Sequence, residues 1–282
     1  MLLLDGKAVA KAVRERLKAQ VADWSKKTRR APGLSVILVG EDPASQVYVR
    51  NKMKACAEVG MISSEVRLST HTKMEELKEQ IELLNHDPAV DGILLQLPLP
   101  KGLDGSGAIE WILPEKDADC LTVTNQGRLW AGAPLTTPCT PSGVMEILRH
   151  YEIPVAGRNA VVIGRSAIVG RPMAHLLTQA DATVTICHSK TKDLRRFTRE
   201  ADIVVVAAGR PELLGKDDFG PDCVVVDVGI HRKNEGGLCG DVRFAELKDH
   251  VRALTPVPGG VGPMTIAMLL QNTMTLADHH FA

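Results

Sequence analysis

The chain has 282 residues, enough for one large or two ordinary domains, with 44% hydrophobic and 24% charged residues, the balance of a soluble globular protein. Lys+Arg and Asp+Glu number 34 each, so nothing global draws the chain to nucleic acid or to an anionic membrane. No apolar stretch reaches the roughly 18 residues of a membrane span.

The opening Met1-Leu2-Leu3-Leu4-Asp5 is too short for a signal sequence and meets an acid at once. Cys56, Cys120, Cys139, Cys187, Cys223 and Cys239 form no CxxC pair. Several sit in apolar strand-like runs, so buried reduced thiols are expected rather than metal ligands or disulfides. A reducing cytoplasm fits.

Gly6 to Lys26 carries Val9, Val13, Leu17, Val21 and Trp24, the apolar stripe of a helix. The basic run Lys26 to Arg30 then reads as a solvated loop. Residues 34–39 form a continuous apolar strand, and Asp42-Pro43 starts a helix with proline in its first turn. Residues 62–68 are strand-like. Thr72 and Glu75 have capping-box spacing for a helix ending near Asn85. Residues 92–97 make another strand, stopped by Pro98 and Pro100. Strands alternating with helices imply parallel pairing with helices on both faces.

Two turn-rich stretches, 101–107 and 125–138, flank a predicted inter-domain connection. Thr140 is the expected N-cap of the following helix, with Pro141 at its first position. Strands are predicted at 160–163, 183–187, 203–207 and 224–228, a doubly wound succession. The Gly/Pro-dense stretch 256–263, with Pro258, Gly259 and Gly260 at its centre, leads into a last helix at 264–278. Its glycines let main chain approach a flat ligand, or it is a plain connector. The fold class is α/β, with a Rossmann-like doubly wound parallel sheet in the C-terminal half.

Residues 159–191, NAVVIGRSAIVGRPMAHLLTQADATVTICHSKT, carry the most chemistry. They read strand, glycine turn, helix, strand: a nucleotide-binding unit whose helix-start N–H groups receive a pyrophosphate. The turn runs from Gly164 to Gly170, with Ser166 where the common pattern has its second glycine. Arg165 and Ser166 can hydrogen-bond phosphate. The second strand ends in His188-Ser189-Lys190, without the acid that would bind a free ribose 2′-hydroxyl. Ser189 and Lys190 suit a 2′-phosphate, so the expected cofactor is NADP, with NAD disfavoured. Asp227-Val228-Gly229-Ile230-His231 either lines the nicotinamide or simply ends a strand.

Tyr48 and Lys52 lie one helical turn apart, with Arg50 and Lys54 nearby. The stretch is either a solvated basic face or a site where neighbouring cations and burial lower the Lys52 pKa. Gln96 ends an apolar strand and either faces a cleft or bonds to local backbone. Asp117 and Asp119 read by default as a solvated charged loop.

The segments YVRNKMKACAEVG, GILLQLPLP, PEKDADCLTVTN, TPCTPSG, VVIGRSAIVGRPMA, TICHSKT, DVGI and TPVPGGVGPMT together resemble, in order, the bifunctional methylenetetrahydrofolate dehydrogenase/methenyltetrahydrofolate cyclohydrolases. The resemblance implies a folate-binding catalytic domain over 1–120, rejoined by the C-terminal helix 264–282, and an NADP-binding Rossmann domain over 139–256. It implies a cleft between them and a homodimer. It implies a tetrahydrofolate substrate in one-carbon metabolism, NADP-dependent oxidation of 5,10-methylene-tetrahydrofolate, and hydrolysis of the product to 10-formyl-tetrahydrofolate. Tyr48, Lys52, Gln96 and Asp119 then fall on catalytic positions, with Leu97, Pro258, Gly259 and Gly260 also at the substrate. Gly164, Arg165, Ser166, Ser189, Lys190 and Ile230 fall on cofactor positions. Lys52 is the expected proton-transfer group, with Gln96 holding it and biasing it toward the neutral amine. Cys120 departs from the glycine usual after Asp119, adding a Cβ that could shift the loop. The competing enzyme reading is a two-domain NADP dehydrogenase of the shikimate or amino-acid type. A non-catalytic folate- or nucleotide-binding regulator is the other alternative.

Overall fold

Helices and strands alternate along a computed structural model that describes residues 1–233 and 235–281. The chain runs β1 (Leu2–Leu3), α1 (Gly6–Thr28), β2 (Gly33–Val39), α2 (Pro43–Val59), β3 (Ile62–Leu68), α3 (Met74–His86), β4 (Gly92–Leu95), α4 (Gly105–Ile109) and α5 (Val123–Trp130). It continues through α6 (Cys139–His150), β5 (Asn159–Ile163), α7 (Gly170–Gln179), β6 (Thr183–Cys187), α8 (Arg195–Thr198), β7 (Ile203–Val206) and β8 (Val224–Asp227). It ends with β9 (His231–Arg232), β10 (Leu238–Cys239), α9 (Phe244–Leu247), β11 (Ala253–Leu254) and α10 (Val261–Phe281). Among the described residues, no helix is long and apolar enough to cross a membrane. All six cysteines are free and buried.

Two compact units divide the chain. One holds Met1–Lys11 and Thr140–Thr265; the other holds Ala12–Cys139 and the residues from Ile266 onward.

In the second of these, β2 lies between β3 and β4 in a three-stranded parallel sheet. All seven residues of β2 are buried, as a nearly continuous apolar run requires of a strand covered on both faces, and its one polar side chain, Ser35, accepts from the Ser64 hydroxyl at 2.9 Å. Ile37, Val39, Ile93 and Leu95 pack with Leu77 and Ile81 of α3 and Ile109 of α4. Each such side chain contributes about 1.5–3 kcal/mol by leaving water. Helix α2 starts as its sequence dictates: Asp42 Oδ2 accepts the Ser45 N–H at 2.7 Å, with Pro43 in the first turn.

Some boundaries differ from expectation. The capping interaction of α3 sits one residue later than the Thr72–Glu75 spacing suggested. Lys73 N–H donates to Glu76, while the Thr72 N–H is already spent on the Ser69 carbonyl. Strand β4 stops at Leu95, and a cis bond joins Leu97 to Pro98.

The other unit contains a six-stranded sheet in the order β1-β11-β8-β7-β5-β6, with every pair parallel. Strands β7 and β8 are wholly buried, and Val204, Val206, Val225 and Leu254 pack with Phe219 in the core. From β5 the chain goes to β6 on one side and then to β7 on the other. This is a topological switch point, where doubly wound sheets bind ligands at the carboxyl ends of their strands. Helix α6 begins at Cys139, so Thr140 is not its cap; its hydroxyl meets that of Thr265 at 3.0 Å instead. Helix α10 begins at Val261, three residues before the expected Met264, because Pro263 is tolerated in a first turn that needs no N–H from it.

Candidate active site and nucleotide edge

Helix α2 presents Tyr48 and Lys52 one turn apart. Tyr48 is 38% exposed, whereas Lys52 is only 8% exposed. Gln96 follows β4, and its backbone N–H extends the ladder by donating to Ile37 at 2.9 Å. That bond fixes the residue at the strand mouth. Lys52 Nζ donates to Gln96 Oε1 at 2.9 Å, and Gln96 Nε2 donates to the Leu97 carbonyl at 2.6 Å. Gln96 thus bonds both the lysine and local backbone, where the sequence left a choice between cleft and backbone.

Burial lowers the Lys52 pKa below 10.5, and the nearby Asp119 and Cys139 pull against it. Arg50 and Lys54 are exposed, and it is burial rather than those cations that lowers the amine. Gln96 acts differently from the sequence expectation. A carbonyl that accepts from Nζ favours the better donor, the ammonium, so Gln96 orients the group without neutralising it.

Asp119 lies in the turn after the bridge between Ile93 and Asp117. Burial raises its pKa above 3.8; Lys52 opposes this, as do hydrogen bonds from the thiol and backbone of Cys139. The same burial pushes the Cys139 thiol well above 9.0, so it stands as a neutral donor beside the carboxylate. Asp117 is no solvated loop residue. It is 2% exposed and accepts from the N–H of Leu121 and Thr122, the Thr122 hydroxyl and Asn125 Nδ2. These bonds fold the turn that carries Asp119.

Sequence reasoning missed two contributors. The sequence marks Cys139 only as a buried thiol. Asn272, 6% exposed on α10, donates to the Ala118 carbonyl at 2.9 Å and the Thr137 carbonyl at 2.7 Å. It ties the Asp119 turn to the segment before α6. An amide inside the apolar run MLLQNTMTLA was the available signal.

Cys120 has φ 57°, in the left-handed region where glycine is at ease. Its side chain is fully buried, and the thiol donates to the Thr136 carbonyl at 3.2 Å. The extra Cβ lies inside the fold.

In the other unit, Gly164 ends β5 with φ 126°. A Cβ there would collide with the Ala207 carbonyl at the end of β7, and one on Gly170 would collide with the Gly164 carbonyl. These glycines keep side-chain bulk out of the switch point. Arg165 and Ser166 are exposed. Ser166 Oγ accepts the N–H groups of Val169 and Gly170 at 3.2 Å each, which caps the helix start from within. The serine proton stays available for donation. The Gly164 N–H donates to Cys187 at 2.8 Å, which sets the glycine turn beside the end of β6. There His188 and Thr191 close a turn through two hydrogen bonds, at 2.8 and 2.9 Å, leaving Ser189 and Lys190 exposed.

Ile230 is 39% exposed after β8 and lies beside Gly262. Pro258 follows a cis bond from Val257. Gly259 has φ 110° and accepts the Lys7 N–H at 3.0 Å, while Gly260 packs so tightly on Gly6 that a Cβ on Gly6 would strike its carbonyl. The Gly/Pro stretch is therefore pinned to the chain's own N-terminal residues.

Residues 4–119 match the catalytic domain of the tetrahydrofolate dehydrogenase/cyclohydrolases, and residues 138–281 match their NAD(P)-binding domain. The chain belongs to the tetrahydrofolate dehydrogenase/cyclohydrolase family. Within this family it is 57% identical over 279 residues to the bifunctional protein FolD of Bdellovibrio bacteriovorus, covering 99% of this chain and 97% of that one. The FolD crystal structure from Campylobacter jejuni superposes with a TM-score of 0.96 at 48% identity, covering 99% of each chain. The Trypanosoma brucei FolD, complexed with NADP cofactor and inhibitor, superposes at 0.94 with 42% identity, covering 99% of this chain and 98% of that one. A shikimate dehydrogenase from Aquifex aeolicus shares only the fold, at 14% identity and a TM-score of 0.51.

Proposed function

We infer that this protein oxidises 5,10-methylene-tetrahydrofolate with NADP to the methenyl cation and then hydrolyses that cation to 10-formyl-tetrahydrofolate. The observation that carries this reading is the buried Lys52 amine, held 2.9 Å from Gln96 and within electrostatic reach of Asp119, in a chain of this family. A pure binding protein has no use for a desolvated amine.

The nucleotide edge fits NADP: the glycines leave a side-chain-free switch point, and Ser189 and Lys190 offer a hydroxyl and a cation for a 2′-phosphate. Gly164, Arg165, Ser166 and Ile230 complete the cofactor set. NADP, when bound, supplies the hydride acceptor. The protein's part in oxidation is orientation of two planar ligands, with Tyr48 and the Leu97 backbone placing the pterin and Asp119 accepting its N–H groups. The Pro258-Gly259-Gly260 main chain offers a further contact for a flat ligand.

In hydrolysis, water adds to the methenyl carbon and Lys52 removes its proton. Cleavage of the bond to N5, which is reprotonated, leaves the formyl group on N10. Burial prepares Lys52 for this by raising the neutral fraction, while Gln96 fixes its direction. We place the protein in the cytoplasm as a homodimer. The reading is supported by free buried thiols and by β6, an edge strand with Ile186 42% exposed. The interconversion of these folates would connect to purine, methionine and histidine synthesis.

The test is direct. The purified protein given methylene-tetrahydrofolate and NADP is expected to form NADPH, then methenyl and formyl products in sequence. Absence of NADPH formation would remove the dehydrogenase assignment.

A further inference from the structure

Two buried carboxylates in the nucleotide-binding unit take no part in the chemistry above. Asp241 has no solvent exposure and Asp227 only 2%. Asp241 Oδ2 accepts the N–H groups of Ala208 and Gly209 at 2.6 and 3.0 Å. Its Oδ1 accepts the Arg210 N–H at 3.0 Å and faces His231 Nε2 at 2.7 Å. Three consecutive amides of the loop after β7 therefore converge on one carboxylate, and the residue after Ile230 holds its other side. Asp227 in turn fixes the neighbouring backbone, accepting from Gly229, Asp241 and Val242 at 2.9, 2.9 and 3.0 Å. Thr255 accepts the Asp227 N–H at 2.8 Å.

The loop held in this way sits at the switch point. Its first residue, Ala207, is the one whose carbonyl a Cβ on Gly164 would strike. Gly209 and Arg210 are exposed at the loop's tip, while the carboxylate anchoring them is wholly inside. Gly229 is required by the same anchor, because a Cβ there would run into the Asp241 carboxylate.

We propose that Asp241 is a positioning residue for the dinucleotide: it sets the loop 207–210 and, through His231, the Ile230 turn, and so shapes the edge that receives the cofactor. The proposal rests on the reading of that edge as the NADP site. Asp241 touches neither cofactor nor substrate. A carboxylate suits the task because both oxygens accept, so four donors converge on it without competition. An asparagine would turn an NH₂ toward two of those donors. Burial is costly to the neighbouring group, and the Asp227 pKa is pushed up to about 6. A buried carboxylate pair retained at that cost marks a geometry the fold cannot obtain from backbone alone.

The test is Asp241→Asn in the full chain, with both activities measured. The variant is expected to lose about 10- to 100-fold in kcat/KM for NADP, the scale of one lost charge-assisted hydrogen bond. NAD-supported turnover should fall by the same factor, because the loop shapes what the two cofactors share. Hydrolysis of directly supplied methenyl-tetrahydrofolate should be kept. A parallel fall in both activities would show mere loss of fold and overturn the proposal; so would unchanged NADP kinetics. Should Asp241→Asn prove insoluble, His231→Leu, which has no donor, removes one of the four contacts. It is expected to raise the NADP KM by about threefold, and no change there would also overturn the proposal. Ser189→Ala with Lys190→Ala serves as the control on the underlying reading. If that pair leaves NADP binding intact, the edge itself is misassigned; if it weakens NADP while Asp241→Asn does not, only the positioning role fails.

Discussion

Replacing Lys52 by methionine separates proton transfer from everything else the site does. The side chain is 8% exposed and close in volume to methionine, so packing changes little. The change orphans Gln96 Oε1, which now accepts from Nζ at 2.9 Å, at a cost of about 1–3 kcal/mol if the oxygen finds no other donor. Against that, the burial penalty that lowers the Lys52 pKa disappears. The two terms oppose each other, so the thermal midpoint should move by only a few degrees and folate and NADP should still bind. Loss of a general base costs about 10²–10⁴ in rate, or roughly 3–5 kcal/mol in barrier. The assay is the decay of methenyl-tetrahydrofolate at neutral pH, corrected for uncatalysed hydrolysis. Lys52→Arg sharpens the result, since a guanidinium keeps the charge but cannot give up a proton. Both variants are expected to lose hydrolysis. Hydrolysis within about tenfold of the parent in Lys52→Met would refute the base assignment. Activity retained by Lys52→Arg alone would point to a charge that steadies the substrate rather than a base.

Two further predictions follow from other residues. Ser189→Ala combined with Lys190→Ala should raise the Kd for NADP by about 10- to 100-fold and leave that for NAD nearly unchanged, because only the former carries the 2′-phosphate; titration calorimetry with both cofactors checks it. Cys120→Gly relieves a left-handed φ of 57°, worth about 1–2 kcal/mol. It gives up a buried thiol and its bond to Thr136, so the melting temperature should shift by only a few degrees, with both activities kept.

Much of this fold was legible because it is written in local patterns. The apolar-rich runs of β2, β7 and β8 announced strands covered on both faces. Asp42-Pro43 announced the start of α2. The pairing of Tyr48 with Lys52 followed from helical spacing alone. What escaped were the contacts that join distant segments through single side chains. Nothing periodic marks Asn272 or Asp241, each of which collects backbone amides or carbonyls from stretches that sequence spacing does not relate. Strand β1 has two residues, too short to show alternation, yet its pairing with β11 gathers the first residues into the nucleotide-binding unit. Thr140 looked like a cap because its residue type and Pro141 fit one. The helix starts a residue earlier, at Cys139, whose backbone and thiol both bond Asp119.

The central claim is that burial makes Lys52 a usable base, and the titration of that one amine tests it. With lysine side chains isotopically labelled and Lys52→Met used to identify the signal, the Lys52 resonance is expected to titrate below 10.5. Hydrolysis should rise with pH through that same midpoint and level off above it, because the neutral amine is the active form. The fold should also gain stability from that midpoint up to the ordinary lysine value, since only the unfolded chain still holds the proton there. A Lys52 amine that titrates at or above 10.5, with hydrolysis unaffected by its ionisation, would contradict the account.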